Sequence, residues 1–85
     1  MTDKVIVTLK DESSGFTGDF ELQTGIRIEE MSVSLNKALI SSYPAQFAGS
    51  KGIDLIYQNE KISDDDTLAS KGIWDGSVLE LEVRR

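Results

Sequence analysis

The sequence predicts an α+β domain in which a mixed sheet of four to five strands carries one main helix across one of its faces. Two patterns lead there. Alternation stands at both ends of the chain, strict in the closing stretch and broken only by Ile6 in residues 4–10, and alternation marks a strand with one buried and one wet face. Between them Ile28, Met31, Leu35, Ala38 and Leu39 recur at spacings of three and four, the period of one helix face. A length of 85 residues supports one domain, residues 1–85, with a small core.

The first strand covers residues 4–10. Val5, Val7 and Leu9 point one way, and Lys4, Ile6, Thr8 and Lys10 the other. Residues 11–18 hold Gly15, Gly18 and small polar residues, read as a turn longer than the tightest hairpin. Phe16 within it is either an exposed contact or, as the small core favours, a flap over the core edge. Residues 19–23 alternate again with Phe20 and Leu22 inward, completing a hairpin. The helix then runs from Ile28 to Ser42, with Glu29 and Glu30 in its first turn, where the helix dipole favours negative charge. Its start is ill-defined, because Arg27 is a poor cap. Pro44 stops it, since the residue before a proline resists helical geometry.

Residues 45–52 are expected to form a loop. Ile53, Leu55 and Tyr57 face inward on the third strand, with Ile56 on the opposite face. A tight turn at Asn59-Glu60 leads to a short fourth strand at residues 61–63. Asp64-Asp65-Asp66 reads as a cap for one following turn of helix, and a turn at Asp75-Gly76 feeds the closing, central strand. There Leu79, Leu81 and Val83 face the core and Glu80 and Glu82 face water. A hairpin, a helix across one face and a C-terminal strand returning beside the first describe the β-grasp architecture. One helix covers only one face of such a sheet, so the other must stay polar or bind something.

Composition excludes more than it assigns. The chain has no cysteine and no histidine, which removes disulfides, thiolate nucleophiles, the usual zinc sites and imidazole acid/base chemistry. A formal charge of −6 repels phosphate backbones and anionic membranes, so no nucleic-acid partner is expected. No apolar run has the length of a membrane span, and Met1-Thr2-Asp3-Lys4 lacks the regions of a signal peptide, so a cytoplasmic protein without direct membrane insertion is expected.

The segment from Asp54 to Ile62, then Asp66-Thr67-Leu68-Ala69-Ser70-Lys71-Gly72-Ile73 and the alternating strand 78–83, resembles the second half of ubiquitin in pattern and spacing. Among ubiquitin-like proteins the chain is more similar to the small bacterial YukD/EsaB family. Its helix entry, Ile26-Arg27-Ile28-Glu29-Glu30, and its ending, Ile73-Trp74-Asp75-Gly76-Ser77-Val78-Leu79-Glu80-Leu81, follow that family's pattern, with Ser77 where an aspartate is usual. The resemblance implies a non-enzymatic cytoplasmic accessory or regulator of the type VII secretion machinery of Gram-positive bacteria, with a secretion component as protein partner. A non-catalytic β-grasp subunit of a multicomponent oxygenase is the alternative. Covalent modification needs a transferable diglycine tail, and the sequence given ends Val83-Arg84-Arg85, so a conjugated modifier is not expected. Arg84 and Arg85 read as a solubilising end.

Ubiquitin's apolar patch maps by this resemblance onto Ile56 and, on the last strand, Glu80 and Glu82, so the patch is not reproduced. Ile6 points to the same outer face. Two readings stand for it: a solvated face of cross-strand Lys/Glu pairs, or a docking surface centred on Ile56. Trp74, at the corner before Asp75-Gly76, is either an interface anchor or a lid over the core. Ile6, Ile56, Trp74, Glu80 and Glu82 are therefore the candidate protein-binding residues. The aspartate run lacks the alternating ligands, glycine and distant glutamate of a calcium loop, and Glu29 and Glu30 diverge on the helix. No catalytic residue, metal or cofactor is expected, and the oligomeric state is left open.

Overall fold

The closing alternation lies in the middle of the sheet. The computed structural model describes residues 3–85; Met1 and Thr2, part of the N-terminal segment considered for a leader, fall outside them. The elements are β1 (Lys4–Asp11), β2 (Phe16–Gln23), α1 (Ile28–Ser42), α2 (Pro44–Phe47), β3 (Gly52–Tyr57), β4 (Glu60–Lys61) and β5 (Val78–Arg84). The five-stranded sheet has the order β2-β1-β5-β3-β4. β5 runs parallel to β1 and antiparallel to β3, so the sheet is mixed. A parallel pair needs a crossover, and α1 lies within it, packed on the inner face. The fold is an α+β, ubiquitin-like β-grasp.

The core joins Val5, Val7 and Leu9 of β1 with Ile53 and Leu55 of β3, Leu79 and Leu81 of β5, and Ile28, Met31, Leu35 and Leu39 of α1. Ala38, expected on that stripe, is exposed. It lies one position off the Leu35–Leu39 line and faces beyond β2, where the sheet has ended.

Several local expectations give way to side-chain contacts, some within a turn and some from distant parts of the chain. Phe16 belongs to β2, opposite Asp11, rather than to a loop. The turn is tighter than expected because Asp11, only 3% exposed, accepts bonds from Ser13 N–H at 3.3 Å, Ser13 Oγ at 2.9 Å and Ser14 Oγ at 2.8 Å. Gly15, at φ 75°, supplies the left-handed residue that closes it. Phe16 then covers the core rim, edge-on to Tyr43 at 4.8 Å and to Phe47 at 5.1 Å between ring centroids.

Pro44 ends α1 and also opens α2 at the first helical position, where its missing N–H costs nothing. The expected loop 45–52 thus begins with a turn of helix that buries Phe47 completely. Between β3 and β4 the left-handed pair is Gln58 (φ 52°) and Asn59 (φ 68°), one residue earlier than expected. A two-residue hairpin turn needs positive φ at both central positions, and asparagine tolerates it.

The residues 64–66 cap α1 rather than a helix of their own. Arg27 offers no side-chain cap; instead Ile28 N–H donates to the Asp66 carbonyl at 2.8 Å and Glu29 N–H to that of Asp64 at 3.1 Å. The Arg27 guanidinium holds the join, reaching Asp65 at 2.8 Å and Glu29 at 3.1 Å. The segment after it is a series of turns, in which Thr67 N–H donates to Ser70 Oγ and Ser70 N–H to Thr67 Oγ1, both at 3.0 Å.

The closing arginines have structural work beyond solubility. Arg85 donates to the carbonyls of Ala48 at 2.7 Å and Gln46 at 2.8 Å, capping the end of α2. Arg84 lies over Gly52, where a Cβ would come within 2.6 Å of its Nη2.

Candidate functional site

Outward side chains of β1, β5 and β3 build the uncovered face. Opposite Lys10 in β1 stands Glu80 of β5, and opposite Glu80 stands Ile56 of β3, followed by Lys61 of β4. One step up, Thr8 faces Val78. Ile56, half-buried, is thus set between Glu80 and Lys61, with Val78 diagonal to it on the same face.

The turn into β5 brings Ile6 and Trp74 to one corner. Ile6 N–H donates to Asp75 Oδ1 at 2.7 Å, and the Ile6 carbonyl accepts from Gly76 N–H at 2.9 Å. Ser77 N–H closes the turn onto the Trp74 carbonyl at 3.1 Å while Ser77 Oγ accepts from Trp74 N–H at 3.1 Å. Ser77 therefore provides the acceptor that the expected aspartate could have supplied. The outcome is an apolar corner: Ile6 is 52% exposed, Trp74 61% and Val78 49%. Large apolar side chains grouped in the open on a small domain mark interaction sites. Trp74 is no lid, since most of its surface faces solvent.

Val78 was not among the residues singled out from the sequence. Its signal was available, because it shares the strand phase of Glu80 and Glu82 and so had to face outward.

An acidic region adjoins this corner. Glu82 stands opposite Asp54, like charge against like, and Asp54 already engages Lys61 at 3.5 Å and Arg84 at 3.8 Å. Cross-strand pairing is present at Lys4 and Glu21, 3.6 Å apart. Among the described residues it does not extend to Glu80 or Glu82, neither of which reaches a basic partner. Ile56, Glu80 and Glu82 border a shallow depression of about 360 Å³ whose far side is Glu12 and Ser13. The five predicted residues thus separate into two adjoining groups, Ile6 with Trp74 and Ile56 with the two glutamates, and Val78 joins them.

The interior offers nothing comparable. Among the described residues every buried side-chain nitrogen and oxygen has a hydrogen-bond partner. Asp65 is held by Arg27 and Asp66 meets Lys71 at 3.5 Å, so two carboxylates of the aspartate run already serve the fold. No helix among them is long and apolar enough to cross a membrane.

No protein-family model matches the chain, and no curated protein does. Solved structures do. The ubiquitin-like domain of EccD5 from Mycobacterium xenopi superposes with a TM-score of 0.79 at 15% identity, over 99% of this chain and 98% of that one. The N-terminal ubiquitin-like domain of the 4931431F19Rik protein gives 0.68 at 22% identity, over 100% of this chain and 79% of that one. A designed protein based on ubiquitin gives 0.67 at 21% identity, over 99% and 93%. At these identities the likeness establishes the ubiquitin-like fold.

Proposed function

We propose that residues 1–85 form a single non-enzymatic, ubiquitin-like interaction module serving type VII secretion in the cytoplasm as an accessory or regulator of the YukD/EsaB kind. The observation that carries the interaction reading is the exposed corner of Ile6, Trp74 and Val78 beside unpaired Glu80 and Glu82, on the face that α1 leaves open. The similarity over nearly the full length of both chains to the ubiquitin-like domain of EccD5 supports the secretion assignment. In this reading Trp74 and Val78 supply the apolar anchor, Ile6 and Ile56 extend it, and Glu80 and Glu82 select a partner with basic residues at the rim.

The test is affinity capture from native cells followed by mass spectrometry, using the wild-type chain and a Trp74→Ala, Val78→Thr double variant. A type VII secretion component retained by the wild type and lost by the variant is the expected result. Reproducible recovery of other partners only, such as a metal-containing hydroxylase, refutes the secretion assignment. Equal retention by the variant refutes the placement of the site.

A further inference from the structure

β2 is an edge of the sheet, with β1 on one side and no strand on the other. Thr24 N–H donates to the Asp3 carbonyl at 2.8 Å, in line with the Lys4–Gln23 register. Antiparallel ladders alternate the direction of their main-chain groups. Those of Leu22, Phe20 and Gly18 therefore turn toward β1, and those of Thr17, Asp19, Glu21 and Gln23 turn outward. Among the described residues no backbone hydrogen bond reaches these four outward residues. An edge of this length is a template for a further strand.

The same edge borders a groove of about 440 Å³ between β2 and α1. Phe20, Leu22, Ile26, Met31, Leu35 and Ala38 line it, with Glu21 and Glu30 at its margin. A strand added beside β2 would turn alternate side chains into this groove and the others onto the outer face, next to Asp19 and Glu21. Both carboxylates keep an uncommitted oxygen: Asp19 uses Oδ1 to accept from Thr8 Oγ1 at 2.7 Å, and Glu21 uses Oε1 to meet Lys4 at 3.6 Å.

Charge decides what fits. Two copies of β2 paired antiparallel about Asp19 would set Asp19 against Asp19, and like charges directly opposite are destabilising. A basic strand meets the opposite condition. We infer that the β2 edge and the β2–α1 groove form a docking site for an extended segment of a partner protein in which apolar residues alternate with lysine or arginine. Its backbone completes the hydrogen bonds of β2, its apolar side chains fill the groove, and its cations lie beside Asp19 and Glu21. This site meets the outer-face corner only where Glu21 stands opposite Ile6, and the two are distinguished by variants at Ala38 on one side and at Trp74 and Val78 on the other.

The probe is a short capped peptide alternating valine and lysine, titrated by fluorescence anisotropy and by amide hydrogen exchange. Saturable binding is expected, with slowed exchange at Thr17, Asp19, Glu21 and Gln23 and none at the 74–77 turn. Ala38→Arg, which fills the groove with a repelling side chain at an exposed position, and Glu21→Lys, at the edge, should each weaken binding about tenfold or more, with both variants verified as folded by circular dichroism. A control peptide with glutamate for lysine should not bind. The inference is overturned by absence of saturable binding to the folded wild type, by equal binding of the glutamate peptide, by protection confined to the 74–77 turn, or by dimerisation through β2 without peptide.

Discussion

Two neighbours on β5 allow the fold and the docking face to be tested separately. Leu79 is fully buried and Val78 is 49% exposed on the other side of the sheet. Leu79→Ala truncates a fully buried member of the core cluster, opposite Leu9, and core leucine truncations cost about 2–5 kcal/mol. A domain of 85 residues has about 4–13 kcal/mol in total, at roughly 0.05–0.15 kcal/mol per residue. The substitution thus removes a large share of stability, and at about 4–8 °C per kcal/mol it lowers the melting temperature by about 8–40 °C. Val78→Thr keeps the branched shape that suits a strand and places its hydroxyl in solvent, so its cost should stay within about 0.5 kcal/mol. Urea and thermal denaturation followed by circular dichroism measure both. A Leu79→Ala cost below about 1 kcal/mol, or a Val78→Thr cost above about 2 kcal/mol, would reverse the assignment of faces and refute the strand register.

Other substitutions test one local turn and two contacts that join distant parts of the chain. Asp11→Ala should cost about 1–3 kcal/mol, because a nearly buried carboxylate organises the β1–β2 turn; a neutral result in chemical denaturation would show that the turn holds without it. Arg85→Ala should leave global stability within about 1.5 kcal/mol while raising amide exchange near Gln46 and Ala48; unchanged exchange there would mean that the cap does not restrain α2. Glu82→Lys should stabilise the domain by about 0.2–1 kcal/mol, since it turns a like-charged pair with Asp54 into an opposite one, and a loss in urea denaturation would contradict the outer-face placement of Glu82.

What could be read in the sequence was governed by periodicity. Val5, Val7 and Leu9, and again Leu79 and Leu81, declare their face by alternation, and Ile28, Met31, Leu35 and Leu39 declare theirs by helical spacing. These patterns are local, so the core was legible. Arg27 meets Asp65 across 38 positions and Arg85 meets Ala48 across 37; no local pattern records such pairings, and the caps of α1 and α2 were therefore hidden. The candidate site was half legible. Phase alone put Ile6, Ile56, Glu80 and Glu82 outside, but it took the β1–β5 register and the 74–77 turn to bring Trp74 and Val78 to the same corner.

The central position of β5 makes the two faces unequal in what they tolerate. Its inner residues meet α1 and both neighbouring strands, so a change at Leu79 or Leu81 is transmitted to the core. Its outer residues meet only their immediate neighbours and water, so charged side chains such as Glu80 and Glu82 stand there without reaching the core. A sheet covered on one side by a single helix leaves its bare face open, and in this order of strands β2 is the longer of the two edges. In this chain both carry the same chemistry, apolar side chains bordered by carboxylates: Ile6, Trp74 and Val78 beside Glu80 on the face, and the groove beside Glu21 and Glu30 at the edge. Under the two proposals a partner combining apolar and basic residues suits both places, which meet where Glu21 stands opposite Ile6.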